Sequence, residues 1–300
     1  MFRDLQVTPL AALAFAVLAA SSSAILVRWS AAPSSVAALY RVLFTVGIVA
    51  PIALARPADR AAFARFSRRD LAWAAVAGVA LAVHFSAWFE SLGHTSVAAS
   101  VTLVQTQPVF VAIGAALLLG ERVDRVTVAG IAVALAGATA MTFGDAGQAP
   151  ISDSTWYGNS LALVGAITVA GYVLAGRSIR QRVPLFPYVT VVYTACALTL
   201  LGIVVVQGHG LFAYPAREWL LFLAMAVGPG VLGHTIVNWV LEHVESVVVS
   251  VAWLGEPVGA TLLAFGLLAE VPDTITVGGG VVVLAGIYVT TVRRERGTEG

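Results

Sequence analysis

Long apolar runs alternate with short polar ones along the whole chain. About 20 mainly apolar residues in a helix cover the ~30 Å hydrocarbon core of a bilayer. Ten runs meet that length: 9–27, 34–54, 71–90, 97–119, 126–143, 157–176, 186–207, 219–240, 246–268 and 275–292. They are continuous, without the period-two alternation of lipid-facing strands, so they predict helices rather than a barrel. Two runs are interrupted at the centre. "LVQTQPVF" (Leu103–Phe110) puts two glutamines and a proline into the fourth, and "WLGEPVGA" (Trp253–Ala260) puts a glutamate and a proline into the ninth.

Composition strengthens the reading. The 300 residues are 59% hydrophobic and 11% charged, whereas a soluble domain carries about 25% charge. The chain is expected to be all-α and integral to a membrane. The lone Cys196 excludes an intrachain disulfide and a cysteine-based metal site. Residues 1–27 have the basic start and small-residue end of a signal peptide, but the similar spans that follow favour a first spanning helix.

Every basic residue is Arg, and the arginines set the orientation. With both termini cytoplasmic, fourteen of the seventeen fall inside, Arg28 and Arg217 fall outside, and Arg41 lies within the second span. That asymmetry follows the positive-inside rule and predicts a multi-pass protein of the bacterial inner membrane.

The pattern also repeats. "SVAAS" at 96–100 returns as "SVVVS" at 246–250, and "DRVTVAGIAVALAG" at 124–137 as "DTITVGGGVVVLAG" at 273–286. Pro108 matches Pro257, Glu121 matches Glu270, and Asp124 matches Asp273. The chain therefore divides into residues 1–148 and 149–300, each with five helices. Five is odd, so the second half is expected to enter the membrane inverted. Inverted repeats are the architecture of secondary transporters, with substrate near the midplane between the halves.

These stretches carry a resemblance. "QPVFVAIGAALLLGER" with "AGIAVALAGA", repeated as "EPVGATLLAFGLLAEV" with "GGVVVLAGIY", resembles the duplicated pattern of EamA-type members of the drug/metabolite transporter superfamily. The resemblance spans nearly the whole chain. It implies a ten-helix carrier, and among bacterial members of this length and layout are exporters of aromatic and other amino acids. Gln107 departs from the glutamate that often precedes the proline in these repeats; Glu256 keeps it. The small multidrug members use a glutamate in the first helix as proton site. Here the first helix has no acid, which points to facilitated transport or exchange without obligatory protons.

Candidate chemistry lies at mid-span. Removing a backbone donor at Pro108 and Pro257 frees the carbonyls of Val104 and Trp253, so both prolines are expected to act as hinges. Glu256 is the one mid-span carboxylate, read as a proton or amine site or as a structural acid paired with Arg41; the structural reading is favoured for both. His84 and Trp88 are four apart in the third helix, and His234 and Asn238 are four apart in the eighth, so each pair shares a face. Gln105, Tyr172 and Trp253 complete the expected substrate-binding set. "SSS" at 21–23 lines the same space or permits close helix packing.

No GxxxxGK[ST] or HExxH pattern occurs. His84, Glu90 and His94 do not share a face well, and Glu90 sits at a helix end, so no metal and no cofactor are expected. The expected partners are a small-molecule substrate and the lipid bilayer, with no nucleic acid; a monomer is compatible with the sequence. The expected function is export of apolar or aromatic amino acids by alternating access. The alternatives are a multidrug, nucleoside or sugar-phosphate carrier and, from another class, an intramembrane enzyme or a lipid-binding subunit.

Overall fold

The computed structural model describes residues 8–91, 94–95, 97–144, 153–268, 271–272 and 274–298, and among these the regular structure is all helical. Glu270 and Asp273, two of the repeat's matched acids, lie outside the described residues, as does most of the segment between the halves. Helix α1 runs Pro9–Trp29, with Thr8 as its cap: Oγ1 accepts from the Ala11 amide at 3.2 Å. Helix α2 (Ser34–Ala55) is followed by a short α3 (Pro57–Ala64), a piece outside the expected spans. Helix α4 (Arg68–Ser91) begins at Ser67, whose hydroxyl accepts from the Asp70 amide and donates to its carboxylate.

The fourth span is not one helix. It breaks into α5 (Val97–Val104), α6 (Gln107–Gly114) and a π-helical turn, Ala115–Leu119, which stops at Gly120 with φ 67°. A left-handed glycine at that place ends the helix and turns the chain into Glu121. Helices α7 (Arg125–Gly144), α8 (Asp153–Arg180) and α9 (Leu185–Val206) follow. The eighth span, predicted as continuous, is α10 (Ala216–Met225), a π-helical stretch Ala226–Thr235, and α11 (Ile236–Val240). The reason is "GPG" at 228–230: Pro229 lacks a donor, and its flanking glycines tolerate the widened turn. The ninth span is α12 (Ser246–Trp253) and α13 (Glu256–Leu268); α14 (Thr274–Thr298) closes the bundle.

Nine helical stretches among the described residues are long and apolar enough to cross a membrane, and a tenth apolar helix, Arg125–Met141, is shorter. Side-chain polarity is distributed as a bilayer requires. Phe15, Leu117, Leu118, Leu262 and Phe265 point outward, whereas Arg41, His84, Gln107, His234 and Asn238 are buried.

Helices α7 and α14 cross through glycines. A side chain on Gly137 would meet the Gly279 carbonyl at 2.7 Å, and one on Gly286 would meet the Gly130 carbonyl at 2.7 Å. As residue number rises on one helix it falls on the other, so the two are antiparallel. Small residues let the backbones approach this closely, which favours helix association in lipid.

Candidate functional site

The breaks in the spans place polar groups where helices would otherwise be sealed. Gln105 and Thr106 form the turn between α5 and α6, with Pro108 in the first turn of α6. Leu254 and Gly255 form the equivalent turn before Glu256 and Pro257. Both prolines thus begin new helix pieces, where a missing N–H is cheapest.

A cluster of rings sits between α4, α8, the π-helical stretch and the α12–α13 break. His84 donates from Nδ1 to the Gly165 carbonyl of α8 at 2.9 Å and stacks on Trp88 with centroids 5.8 Å apart. His234 lies at the end of the π-helical stretch. Its ring meets Phe85 at 5.8 Å, Tyr172 at 6.0 Å and Trp253 at 5.0 Å. Asn238, one helical turn on, donates from Nδ2 to the Tyr172 hydroxyl at 2.5 Å and to the His234 carbonyl at 2.7 Å. Beneath them Tyr193 and Thr235 share a hydrogen bond of 3.2 Å.

Arg41 reaches this cluster from α2. Its guanidinium lies 4.7 Å over the Phe85 ring, and Nη1 donates to Ser23 Oγ at 3.1 Å. Glu256 reaches it from α13, accepting from Trp253 Nε1 at 2.8 Å. Of the residues expected from sequence, His84, Trp88, Tyr172, His234, Asn238, Trp253, Arg41 and Glu256 are thus brought together. Gln105 is buried, but no hydrogen bond or ring contact joins it to the cluster among the described residues. Arg41 and Glu256 are not bridged to each other.

Sequence reasoning missed Phe85, Tyr193, Thr235 and Tyr188. A tyrosine inside an apolar span was the available signal, because its hydroxyl needs a partner there. Around the cluster, Trp88 Nε1, His234 Nδ1, Asn238 Oδ1 and Tyr188 OH have no protein hydrogen-bond partner, the last two both lying against Gly176. A separate apolar cavity of about 270 Å³ lies between α1, α13 and α14, lined by Leu13, Val17, Val258, Leu284 and Ile287 among others. None of the candidate residues lines it.

One end of the bundle is fastened below Asn238. The Glu121 carboxylate accepts from the Ser246 amide at 3.0 Å, the Ser246 hydroxyl at 2.8 Å and Arg177 Nε at 3.2 Å. Arg177 also donates to the Leu241 carbonyl at 3.0 Å, Arg180 Nε to the Asn238 carbonyl at 3.0 Å, and Arg180 pairs with Glu242. Glu121 therefore caps α12 while α8 grips the turn that leads into it.

Comparison with known proteins adds to this geometry. The profile of the EamA-like transporter family matches residues 8–143 and again residues 156–292. The pseudopaline exporter of Pseudomonas aeruginosa is 28% identical over 229 residues, 75% of this chain and 76% of the relative. A probable terminal-alkyne amino-acid exporter of Streptantibioticus cattleyicolor is 28% identical over 263 residues, 84% of this chain and 85% of the relative. A solved crystal structure superposes with a TM-score of 0.80 at 22% identity, covering 95% of this chain and 96% of that one; that likeness shows the fold.

Proposed function

The chain belongs to the EamA-like transporter family, and from that premise we propose that it is a secondary carrier exporting small metabolites by alternating access. Its proposed substrates are amino acids with apolar or aromatic side chains. The observation that carries this reading is the buried ring cluster between α4, α8 and the π-helical stretch, with polar atoms that no protein group satisfies. An apolar and aromatic wall with a few oriented polar groups suits a small amphipathic molecule. The family and its named relatives are transporters, and one relative is named as an amino-acid exporter.

The proposed architecture is two inverted five-helix repeats with both termini cytoplasmic. Supporting it are the two successive family matches, the offsets of about 150 residues in sequence, and the antiparallel crossing of α7 on α14, the fifth span of each half. In this reading the Glu121, Arg177 and Arg180 contacts fasten the cytoplasmic end.

Counterflow in proteoliposomes tests the function. Vesicles preloaded with phenylalanine, tryptophan, leucine or methionine should take up the labelled amino acid, and nucleosides and cationic dyes should not exchange. Exchange of dyes or nucleosides alone would select the rival carriers. Conversion of a lipid in detergent without any solute flux would select the intramembrane enzyme. An imposed pH gradient should drive no accumulation beyond exchange, because the first helix carries no acid.

A further inference from the structure

Two opposite charges lie inside the apolar bundle and do not meet. Arg41 is 4% exposed, within α2. Glu256 begins α13, in the middle of the apolar span Ser246–Leu267. They border the same ring cluster: the Arg41 guanidinium lies over Phe85, Phe85 meets His234, His234 meets Trp253, and the Trp253 indole donates to Glu256. Yet no ion pair joins them among the described residues. Charges attract far more strongly in a low-dielectric interior than in water, and a buried charge without a direct counter-charge is costly. Both side chains are flexible, so direct pairing is what an isolated arginine and glutamate would do there.

The fold holds them apart through α1. Ser23 Oγ accepts from Arg41 Nη1 at 3.1 Å, and the one proton of Ser21 Oγ lies between the Val17 carbonyl at 2.8 Å and the backbone carbonyl of Glu256 at 3.0 Å. The glutamate carboxylate is turned to the Trp253 indole, and the guanidinium is laid on Phe85. One turn of α1 thus contacts both residues, the guanidinium through Ser23 and the Glu256 backbone through Ser21. Only one of the guanidinium's five N–H donors is engaged by a hydrogen bond among the described residues.

We propose that Arg41 and Glu256 are the two poles of a zwitterion site, the guanidinium taking the carboxylate of an α-amino acid and the Glu256 carboxylate taking its ammonium. The inference rests on the carrier reading above and adds which groups of the substrate are read. A planar guanidinium matches a carboxylate through parallel hydrogen bonds. A simple cation would compensate Glu256 and leave Arg41 bare, and a simple anion would do the reverse. A zwitterion compensates both and adds no net charge to the bundle. The rings of Trp88, His84, His234 and Trp253 then surround the side chain.

The test is competition in phenylalanine counterflow. L-phenylalaninamide lacks the carboxylate, and N-acetyl-L-phenylalanine lacks the ammonium. Each should compete at least tenfold more weakly than phenylalanine with the wild-type protein. Arg41→Gln should erase the preference over the amide while retaining that over the N-acetyl compound. Glu256→Gln should do the opposite. If Arg41→Gln fails to insert, the wild-type competition decides alone. Phenylalanine exchange with both analogues competing equally would overturn the zwitterion site and leave the carrier standing. Exchange of nucleosides or dyes without any amino acid would overturn both.

Discussion

Trp88 Nε1, His234 Nδ1 and Asn238 Oδ1 are buried polar atoms without a protein hydrogen bond. Leaving such a group unmade costs about 1–3 kcal/mol, because water is given up and nothing replaces it. Three such atoms around one ring cluster are tolerable if a substrate satisfies them. Trp88→Ala and Asn238→Ala should therefore each weaken affinity by roughly five- to a hundredfold, the equivalent of about 1–3 kcal/mol of hydrogen-bond and stacking contacts. Exchange titrations measure the loss, with gel filtration to show that the variants remain folded. Unchanged affinity in both would move the site toward Gln105.

The elements that matter most are the broken ones. In α6 and α13 the prolines follow turns closed by short bonds, Thr106 amide to Leu103 carbonyl at 3.1 Å and Gly255 amide to Ala252 carbonyl at 2.9 Å. Pro108→Ala or Pro257→Ala supplies a donor that can bond the carbonyl four residues back and straighten the span. Exchange rate should fall more than affinity does, which the kcat and KM of counterflow separate; unaltered rates in both variants would remove the hinges. At the far end of α12, Glu121 is acceptor to two groups of Ser246 and to Arg177. Glu121→Ala strips charge-assisted bonds worth about 1.5–3 kcal/mol each. A cysteine placed at Ser250 in a Cys196→Ala background should then react about tenfold faster with a thiol reagent added from the cytoplasmic side. Equal rates would show that these contacts do not hold that end shut.

At the scale of the whole molecule, orientation is the decisive quantity. Fourteen of seventeen arginines on one side predict cytoplasmic termini. A cysteine introduced within 148–153 should label from outside, and one within 60–66 only from inside. The reverse pattern would overturn the cytoplasmic termini. Labelling of both sites from one side would sink the inverted arrangement. It would also leave the antiparallel α7–α14 crossing, with Gly137 on Gly279 and Gly130 on Gly286, as helix packing alone.

Much of this was legible in the chain itself. Span length follows from apolar area, which is a sum over residues and needs no partner to evaluate. The pairing of His84 with Trp88 and of His234 with Asn238 on single faces follows from helical periodicity, which is local. Interruptions were legible where a proline stood in the fourth and ninth spans, and "GPG" in the eighth carried the same signal unread. What tertiary structure decided is which groups find each other across helices. His84 takes the Gly165 carbonyl of α8, and Asn238 takes the Tyr172 hydroxyl. Arg41, expected from sequence beside Glu256, is claimed by Ser23 and Phe85 instead. A sequence states that two opposite charges enter the same apolar region, but the distance between them depends on how three helices pack, and Coulomb energy in a low-dielectric medium is set by that distance.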